Sequence, residues 1–252
     1  MLSKNELKRL RSLRQKKYRL KLNRFMVEGV RLVEEAVKAG RVESVFHCSD
    51  AFSSERSMAL MTELKMKDIP IVEIDEKEMD ILSDTVQNQG VVALATIPVH
   101  YFSQLGSLKE NWLYLDSVRD PGNLGSMLRT ADWFGLNNIA LSSASADPYN
   151  PKVIRGAMGA HFHLNVHPDI PLNDLKKSGK KIIAAIQGTT PISELDVKES
   201  EEWCLVMGNE ANGISQENQS LADQFVSIPG TGRAESLNVA VAAGILLNQL
   251  IN

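Results

Sequence analysis

Short apolar runs alternate with amphipathic segments through the first 97 residues of the chain. Runs of β-branched and other apolar residues predict strands, and apolar residues at positions i, i+3 and i+4 predict helices. The predicted strands are residues 42–47, 71–74 and 90–96, and the main predicted helices are residues 28–38 and 53–67. Because strands and helices alternate, residues 1–97 are predicted to form a small α/β domain.

A second series of strands and helices begins at Trp112, after residues 98–111, which lack periodicity and are predicted to be a linker. Its predicted strands are residues 112–116, 138–141, 161–166, 181–186, 203–208 and 225–228, and its predicted helices are residues 124–134, 151–158, 172–177, 215–222 and 236–251. Strands that are apolar at nearly every position are typical of a parallel sheet covered on both faces. Residues 112–252 are therefore predicted to be a second α/β domain with a mostly parallel sheet.

The charge of the chain is distributed unevenly. The 252 residues carry a net charge of −3, yet residues 1–24 contain ten Lys or Arg and one Glu, and the rest contains 18 basic and 30 acidic residues. Ser3 and Glu6 form a capping-box pattern that predicts one basic helix running to about Leu20. A basic end on an acidic body predicts contact with a polyanion, and a solvated surface helix is the alternative.

The composition narrows the classes of protein further. With 43% hydrophobic and 23% charged residues, the chain is typical of a globular protein. No apolar run approaches the roughly 20 residues that span a bilayer, so no membrane partner is expected. Cys48 and Cys204 lie singly in apolar runs, which predicts free thiols in a reducing cytoplasm. The histidines His161, His163 and His167 are predicted to share a strand face, but without supporting Cys, Asp or Glu residues no metal is expected.

Two stretches that follow predicted strands carry groups suited to binding and catalysis. In residues 116–135, a Pro-Gly turn precedes a helix that Asn123 is predicted to cap, and Arg129 follows within that helix. A helix start after a glycine turn can hold an anion, and an arginine adds a bidentate donor. In residues 207–215, MGNEANGIS, a strand runs into a tight turn that carries Glu210. These stretches contain neither a P-loop nor a GxGxxG dinucleotide fingerprint.

A third stretch, residues 228–247 (IPGTGRAESLNVAVAAGILL), passes from a strand through a glycine turn into an apolar helix. Ser236 is predicted to cap this helix, and Asn238 follows it. A helix that is apolar almost all round must be buried, either inside a domain or against a second subunit.

Together the three stretches resemble motifs 1, 2 and 3 of the SpoU-type (TrmH-like) RNA ribose 2′-O-methyltransferases of the SPOUT superfamily. Residues 25–37, 88–95 and 150–166 are also similar to the family, so the resemblance covers most of the chain. Three motifs in one order are far more specific than any single motif. The resemblance implies that residues 112–252 form a SPOUT domain with a deep trefoil knot. It also implies that the N-terminal domain binds RNA and is similar to certain ribosomal RNA-binding proteins.

The resemblance implies a cofactor, S-adenosylmethionine, and a homodimer formed through the C-terminal domain. Cofactor contacts, mainly from backbone groups, are expected at Gln187, Gly188, Gly208, Ile228, Ser236 and Leu237. Strand ends, glycine turns and helix starts leave backbone N–H and C=O groups free for such contacts. The chain departs from the family at Gly230, where methionine is frequent, which predicts a looser cofactor loop. It also departs at Ala157, where many members carry a hydroxyl group.

The catalytic set that the resemblance implies is Asn123, Arg129, Glu210, Ser236 and Asn238. In the family the arginine, here Arg129, is assigned to accept the proton or activate the ribose hydroxyl. Because a guanidinium is a permanent cation, the alternative is that Arg129 aligns the hydroxyl and neutralises a phosphate. The other four residues would fix Arg129 and the ribose. Arg119 and Arg155 are candidates for contacts with RNA phosphates, with surface solvation as the alternative.

The sequence therefore predicts S-adenosylmethionine-dependent 2′-O-methylation of a ribose in RNA. Ribosomal RNA is the preferred substrate because the N-terminal domain resembles ribosomal RNA binders, and tRNA is the alternative. The need for a 2′-hydroxyl excludes DNA. Two other classes are weighed: a non-catalytic RNA-binding assembly factor with the same fold, and a nucleotide-binding oxidoreductase. The complete catalytic set argues against the first, and the missing GxGxxG spacing argues against the second.

Overall fold

The computed structural model describes residues 2–85, 87–98, 110–195 and 201–251. The chain divides into two compact units, one made of Met1–Pro98 with Tyr149–Phe162 and the other of Val99–Pro148 with His163–Asn252. The predicted boundaries, 1–97 and 112–252, did not anticipate that residues 149–162 would group with the N-terminal unit. Most of the predicted linker, residues 99–109, lies outside the described residues.

The N-terminal unit is built on a four-stranded mixed sheet in the order β1-β4-β2-β3. Its strands are β1 (Arg24–Glu28), β2 (Val42–His47), β3 (Ile71–Glu73) and β4 (Val91–Thr96). Its helices are Lys4–Ser12, Lys16–Leu22, Val30–Lys38, Glu55–Met66, Glu76–Leu82 and Pro151–Ala157. β4 runs antiparallel to β1 and β2, whereas β2 and β3 are parallel.

Both faces of this sheet are buried, because successive side chains of a strand point to opposite sides. Along β4, Val91, Ala93 and Ala95 belong to one apolar cluster, and Val92 and Leu94 belong to the other. Tyr149 and Ile154 pack in the first cluster with Phe25, which explains why residues 149–162 group with this unit.

The predicted basic helix is in fact two helices, Lys4–Ser12 and Lys16–Leu22. Ser3 caps the first one, as predicted, by accepting a hydrogen bond from the backbone N–H of Glu6. At the break between the two helices, the buried side chain of Arg19 satisfies two carbonyl oxygens of the turn. Its Nη1 atom donates to the carbonyl oxygens of Leu13 at 2.7 Å and Arg14 at 2.8 Å.

The C-terminal unit contains a six-stranded sheet in the order β10-β8-β9-β5-β6-β7, and every pair in it is parallel. The strands are β5 (Trp112–Leu115), β6 (Asn138–Leu141), β7 (Asn165–His167), β8 (Lys181–Pro191), β9 (Trp203–Met207) and β10 (Gln224–Ser227). Its helices are Pro121–Trp133, Leu172–Lys177, Gln216–Gln219 and Val239–Ile251. All residues of β5, β6 and β9 are buried, so the predicted α/β class and mostly parallel sheet are confirmed.

Several predicted elements are corrected. His161 lies in a 3-10 helix, Ala160–Phe162, and β7 starts only at Asn165, so the three histidines do not share a strand face. Within the described residues, no group of three or more His, Cys, Asp or Glu side chains is arranged to hold a metal ion. In the same part of the chain, no helix has the length and apolarity required to cross a bilayer.

The two cysteines are free thiols, as predicted, although only Cys204 is fully buried. Cys204 lies in β9, and burial raises the pKa of its thiol far above the ordinary value. Cys48 is half-buried, and burial again is the main cause of its raised pKa, with nearby carboxylates adding to it.

Candidate functional site

Three loops of the C-terminal unit leave the sheet at the carboxyl ends of its parallel strands. One leaves β5 and enters the helix Pro121–Trp133, another leaves β9 as residues 208–215, and a third leaves β10 and enters the helix Val239–Ile251. In the sheet, β6 and β7 lie on one side of β5, and β8, β9 and β10 lie on the other side. The order of the strands therefore reverses its direction at β5. Open parallel sheets bind their ligands at such a reversal, outside the carboxyl ends of the strands.

A chain of amide and carboxylate hydrogen bonds joins these three loops through Asn123. The Nδ2 atom of Asn123 donates to Oε1 of Glu210 at 2.8 Å, across 87 residues of sequence. The Oδ1 atom of Asn123 accepts from Nδ2 of Asn238 at 2.9 Å, across 115 residues. Both polar ends of one side chain are therefore used, and three of the five predicted catalytic residues are brought together.

Asn123 can make these contacts because it does not cap its helix, contrary to the prediction. The N-cap is Asp120, whose Oδ1 accepts from the backbone N–H of Asn123 at 2.8 Å. Pro121 occupies the first helical position, where its fixed φ matches the helix and no backbone N–H is required for the helical hydrogen bonds. The side chain of Asn123 thus points out of the first turn with both of its polar atoms available.

The loop that carries Glu210 is closed on itself. Asn209 and Gly213 exchange backbone hydrogen bonds of 2.9 Å in both directions. The Oδ1 atom of Asn209 also accepts from the backbone N–H groups of Ala211 at 3.0 Å and Asn212 at 3.1 Å. A Cβ atom at Gly208 would lie 2.6 Å from the carbonyl oxygen of Gly213, so only glycine fits there.

Two side chains that the sequence analysis did not single out attach this loop to the end of β5. Asp116 is 3% exposed, and its Oδ2 atom accepts from both the backbone N–H and the hydroxyl of Ser215 at 2.8 Å. Asn209 donates through Nδ2 to the carbonyl oxygen of Ser117 at 2.8 Å and to Glu210 at 3.3 Å. Two signals in the sequence could have identified these residues. Asp116 is an acid directly after an apolar strand, and Asn209 stands beside a glycine in a tight turn.

The third loop differs from the prediction at the start of its helix. The helix begins at Val239, and Asn238 rather than Ser236 caps it, because Oδ1 of Asn238 accepts from the backbone N–H groups of Ala240 at 2.9 Å and Val241 at 3.3 Å. Ser236 lies in the exposed loop before it. Asn238 therefore has two roles, since Oδ1 caps the helix and Nδ2 contacts Asn123.

The residues predicted to contact a cofactor lie around this exposed loop and the neighbouring strand ends. Every residue from Pro229 to Asn238 is exposed, and Ile228 is half-buried at the end of β10. Gln187 and Gly188 are exposed in the outer half of β8, and Gly188 has a φ of +76°. Nε2 of Gln187 donates to the backbone oxygen of Glu235 at 2.5 Å, which connects β8 to the loop.

The backbone of this loop fits a ligand that is recognised mainly through N–H and C=O groups. Within the described residues, none of the backbone amides from Gly230 to Leu237 donates to another backbone group. A Cβ atom placed at Gly230 or Gly232 would have no heavy atom within 4 Å, so the space around these two positions is open. Exposed backbone amides that donate to no other backbone group suit the predicted nucleoside cofactor.

The predicted arginines are not part of the hydrogen-bonded network. Arg129 is exposed, and among the described residues it has no hydrogen bond or ion pair. It lies six residues after Asn123, which places it roughly 120° around the helix and about 9 Å along its axis. Arg119 is likewise exposed. Arg155 belongs to the N-terminal unit, where its Nη1 atom lies 3.2 Å from the carboxylate of Asp84.

Comparison with known proteins assigns a family to this arrangement. Residues 110–248 match the model of the SpoU rRNA Methylase family, and residues 4–93 match the MRM3-like substrate binding domain. This chain belongs to the SpoU rRNA methylase family. The predicted family is thus confirmed, and with it the class of RNA methyltransferase that the three motifs indicated.

Several relatives of this SpoU family member match over nearly its whole length. A 23S rRNA (guanosine(2553)-2′-O)-methyltransferase of Bacillus subtilis is 34% identical over 244 residues, which are 95% of this chain and 93% of the relative. A solved TrmH-family protein of Porphyromonas gingivalis, described as a putative RNA methyltransferase, is 32% identical with a TM-score of 0.84 over 99% of this chain and 98% of that one. An AdoMet-bound rRNA methyltransferase of Sinorhizobium meliloti is 28% identical with a TM-score of 0.84, covering 99% and 95% of the two chains.

Proposed function

We propose that this SpoU family member transfers a methyl group from S-adenosylmethionine to a ribose 2′-oxygen of ribosomal RNA. The observation that carries the proposal is the Asn123–Glu210–Asn238 network, because it joins all three motif loops at one edge of the sheet. The relatives named as rRNA 2′-O-methyltransferases support rRNA as the substrate, so rRNA is preferred to tRNA.

The reaction requires that a weakly acidic hydroxyl be aligned with an electrophilic carbon and lose its proton. When bound, S-adenosylmethionine supplies a methyl group on a positively charged sulfur. The hydrogen bond between Asn123 and Glu210 fixes the positions of both side chains at the site. The carboxylate of Glu210 can still accept a hydrogen bond from a ribose hydroxyl. Ser236, exposed in the third loop, offers a hydroxyl for the ribose or for Arg129.

Arg129 is proposed to orient the 2′-hydroxyl and to neutralise the neighbouring phosphate. A guanidinium is a planar, permanent cation whose five donors match a phosphate in a bidentate manner. The lack of any ion pair from Arg129 to a described residue leaves those donors available for RNA. With Arg129 as a cation, a phosphate oxygen accepts the hydroxyl proton; the alternative is that Arg129 itself accepts it.

The cofactor is proposed to lie against the backbone of Gln187, Gly188, Gly208, Ile228, Ser236 and Leu237. The exposed glycine-rich loop and the strand ends of β8, β9 and β10 support this assignment. A deep trefoil knot in the C-terminal unit is part of the same proposal, supported by family membership and by the similarity to solved members. We likewise propose a cytoplasmic location, supported by two thiols that remain unpaired.

A homodimer formed through the C-terminal unit is also proposed. Its support is an exposed apolar surface on and beside the last helix: Leu237 is 49% exposed, Val241 52%, Ile245 37% and Trp133 84%. Val241 and Ile245 lie on one face of the helix, four residues apart. Apolar side chains grouped in this way mark a protein interface more often than a solvated surface.

The proposed function is tested by methyl transfer from radiolabelled S-adenosylmethionine to rRNA transcribed without modifications, followed by mapping of the ribose methyl groups. Label at one ribose is expected. Arg129→Ala should reduce transfer at least about 100-fold, with cofactor affinity and the free energy of unfolding nearly unchanged because the side chain is exposed. Arg119→Ala, the matched exposed arginine, should raise KM for RNA with little effect on kcat.

Two results would contradict the proposal. One is cofactor binding with no methyl transfer to any rRNA or precursor, which would favour the non-catalytic assembly factor. The other is loss of cofactor binding in Arg129→Ala, which would remove Arg129 from the role of serving the hydroxyl.

A further inference from the structure

The structure separates the ten basic residues of positions 1–24 into two groups. Three of them serve the fold: Arg14 donates to the carbonyl oxygen of Ser83, Arg19 closes the break between the two helices, and Arg24 pairs with a glutamate. The other seven are exposed, and none of them has an ion-pair partner in the described part of the chain. These seven are Lys4, Lys8, Arg9, Arg11, Lys16, Lys17 and Lys21.

The helices that carry these cations, residues 4–22, are named here the two-helix arm. The arm is held in place by its apolar side, where Leu10 is 3% and Leu13 2% exposed against a cluster that includes Met79 and Leu82. The backbone N–H of Leu2 also donates to the carboxylate of Glu78 at 2.9 Å. The cations are therefore presented from a fixed support and not from a loose tail.

On the first helix of the arm, three cations form a row. Lys4, Lys8 and Arg11 are spaced by four and three residues, so they share one helical face over about 10 Å of axis. On the second helix, the Nζ atom of Lys17 lies 4.8 Å from the centre of the Tyr18 ring, and Leu20 is 58% exposed. Exposed cations on such a surface provide contacts for the phosphates of an RNA strand.

The remainder of the same unit is acidic. Residues 25–98 and 149–162 together contain 9 basic and 14 acidic residues, a balance of −5. Five of these carboxylates line a cavity beside the ends of β2 and β3: Asp50, Glu73, Asp75, Glu76 and Asp80. An RNA strand is repelled from such a surface and attracted to the arm.

We propose that the exposed cations of the two-helix arm, centred on Lys4, Lys8 and Arg11, are the surface on which the N-terminal unit holds the phosphates of its rRNA substrate. This inference rests on the proposed function, and it goes further by assigning RNA affinity to one surface of one element. The arm increases the affinity for RNA, and the residues of the C-terminal network carry out the chemistry.

The test compares two full-length triple variants that each remove three positive charges. The first is Lys4→Gln, Lys8→Gln and Arg11→Gln in the arm. The matched control is Arg31→Gln, Lys65→Gln and Lys77→Gln, three exposed cations on other helices of the same unit. Glutamine keeps the helix propensity of Lys and Arg, so both variants should fold, which circular dichroism and thermal unfolding will verify.

Affinity for an unmodified transcript of large-subunit rRNA is measured at several KCl concentrations. Each lost phosphate contact reduces the magnitude of the slope of log K against log salt by about 0.7 to 0.9. The slope of the arm variant should therefore be smaller in magnitude by about 2 to 3, and its affinity for RNA should be at least about tenfold lower. The control should keep the wild-type slope. In methyl transfer, KM for RNA should rise in the arm variant while kcat at saturating RNA stays the same.

An equal loss of affinity in both variants would overturn the inference, because net charge and not the arm would then determine binding. The inference would also be overturned if the arm variant no longer bound phosphatidylserine vesicles but kept the wild-type affinity for RNA. The arm would then be a surface that binds lipid. Wild-type methylation with an unchanged KM in the arm variant would refute the arm and leave the proposed function standing. A further result would separate the two proposals: only the arm variant loses salt-dependent RNA binding, and the wild type transfers no methyl group. It would support the role of the arm and refute the proposed function.

Discussion

Two loops at the same edge of the C-terminal sheet are built in opposite ways. Residues 208–215 are fixed by hydrogen bonds: Asn209 bonds to four other positions of the loop, and Asp116 accepts from the N–H and the hydroxyl of Ser215. Residues 229–237 are exposed throughout, and their contact with β8 is a single bond from Gln187 to the oxygen of Glu235.

From this difference we infer that one half of the proposed site is preformed and that the other half is completed when the cofactor binds. A carboxylate that must meet a substrate hydroxyl gains from a rigid support, because positioning is part of the rate enhancement. A loop that binds the proposed cofactor mainly through its backbone requires N–H and C=O groups that are free for the ligand. Three substitutions test this contrast.

The largest effect is expected for Gly208→Ala in the fixed loop. Its methyl group would overlap the backbone of Gly213 and Ile214, so the loop that carries Glu210 must move. We expect a loss of about 1–3 kcal/mol in the free energy of unfolding and at least about a 100-fold loss of methyl transfer. Urea denaturation and the radiolabel assay measure the two quantities. Gly232→Ala in the exposed loop is the control and should change stability by less than about 0.5 kcal/mol. Equal effects of the two substitutions would disprove the contrast.

An intermediate effect is expected for Val241→Glu, which introduces a charge on the exposed apolar face of the last helix. If a second subunit covers this face, the charge loses its hydration and the dimer should weaken by about 100-fold, which corresponds to about 2.7 kcal/mol. Sedimentation velocity with the methyl-transfer assay over a range of protein concentrations measures this. Met66→Glu, at a side chain that is 80% exposed in the N-terminal unit, should leave the association unchanged. A wild-type protein that is monomeric at micromolar concentration would rule out the dimer.

The smallest effect is expected for Gly230→Met in the exposed loop. A Cβ atom at this position meets no heavy atom within 4 Å, and the added side chain restricts the backbone, so folding should be unaffected. Because less conformational entropy is then lost when the loop closes, affinity for S-adenosylmethionine should rise about two- to fivefold. Isothermal titration calorimetry gives the affinity. A lower affinity would mean that this position contacts the cofactor closely and requires glycine.

Local pattern was sufficient for most elements but not for their caps and ends. Periodicity predicted the buried strands Trp112–Leu115 and Trp203–Met207 within a residue or two, because a strand covered on both faces is apolar at every position. It failed for residues 161–167, where only Asn165–His167 forms a strand and His161 lies in a 3-10 helix. Periodicity also predicted one helix where the arm has two. The hydrogen bonds of Arg19 that stabilise the break depend on the burial of its side chain, which local pattern does not show.

The caps show why the candidate site could be predicted only in part. Asn123 and Ser236 are both good capping residues, and the local rule assigned them to helix starts. In the structure Asp120 and Asn238 provide the caps, while Asn123 uses its amide for Glu210 and Asn238. Several polar residues compete at each helix start, and contacts 87 and 115 residues away decide which of them caps.

The sequence by itself determined the alternation of strands and helices, the basic character of the first 24 residues and the three motifs that define the family. These properties depend on residue type and short-range spacing, which are local. Only the tertiary structure decided that Asn123, Glu210 and Asn238 meet, that Asp116 and Asn209 hold the loop of Glu210, and that seven of the ten N-terminal cations face solvent. The physical reason is that burial and hydrogen bonding between distant segments are set by strand order and packing, which no single segment encodes.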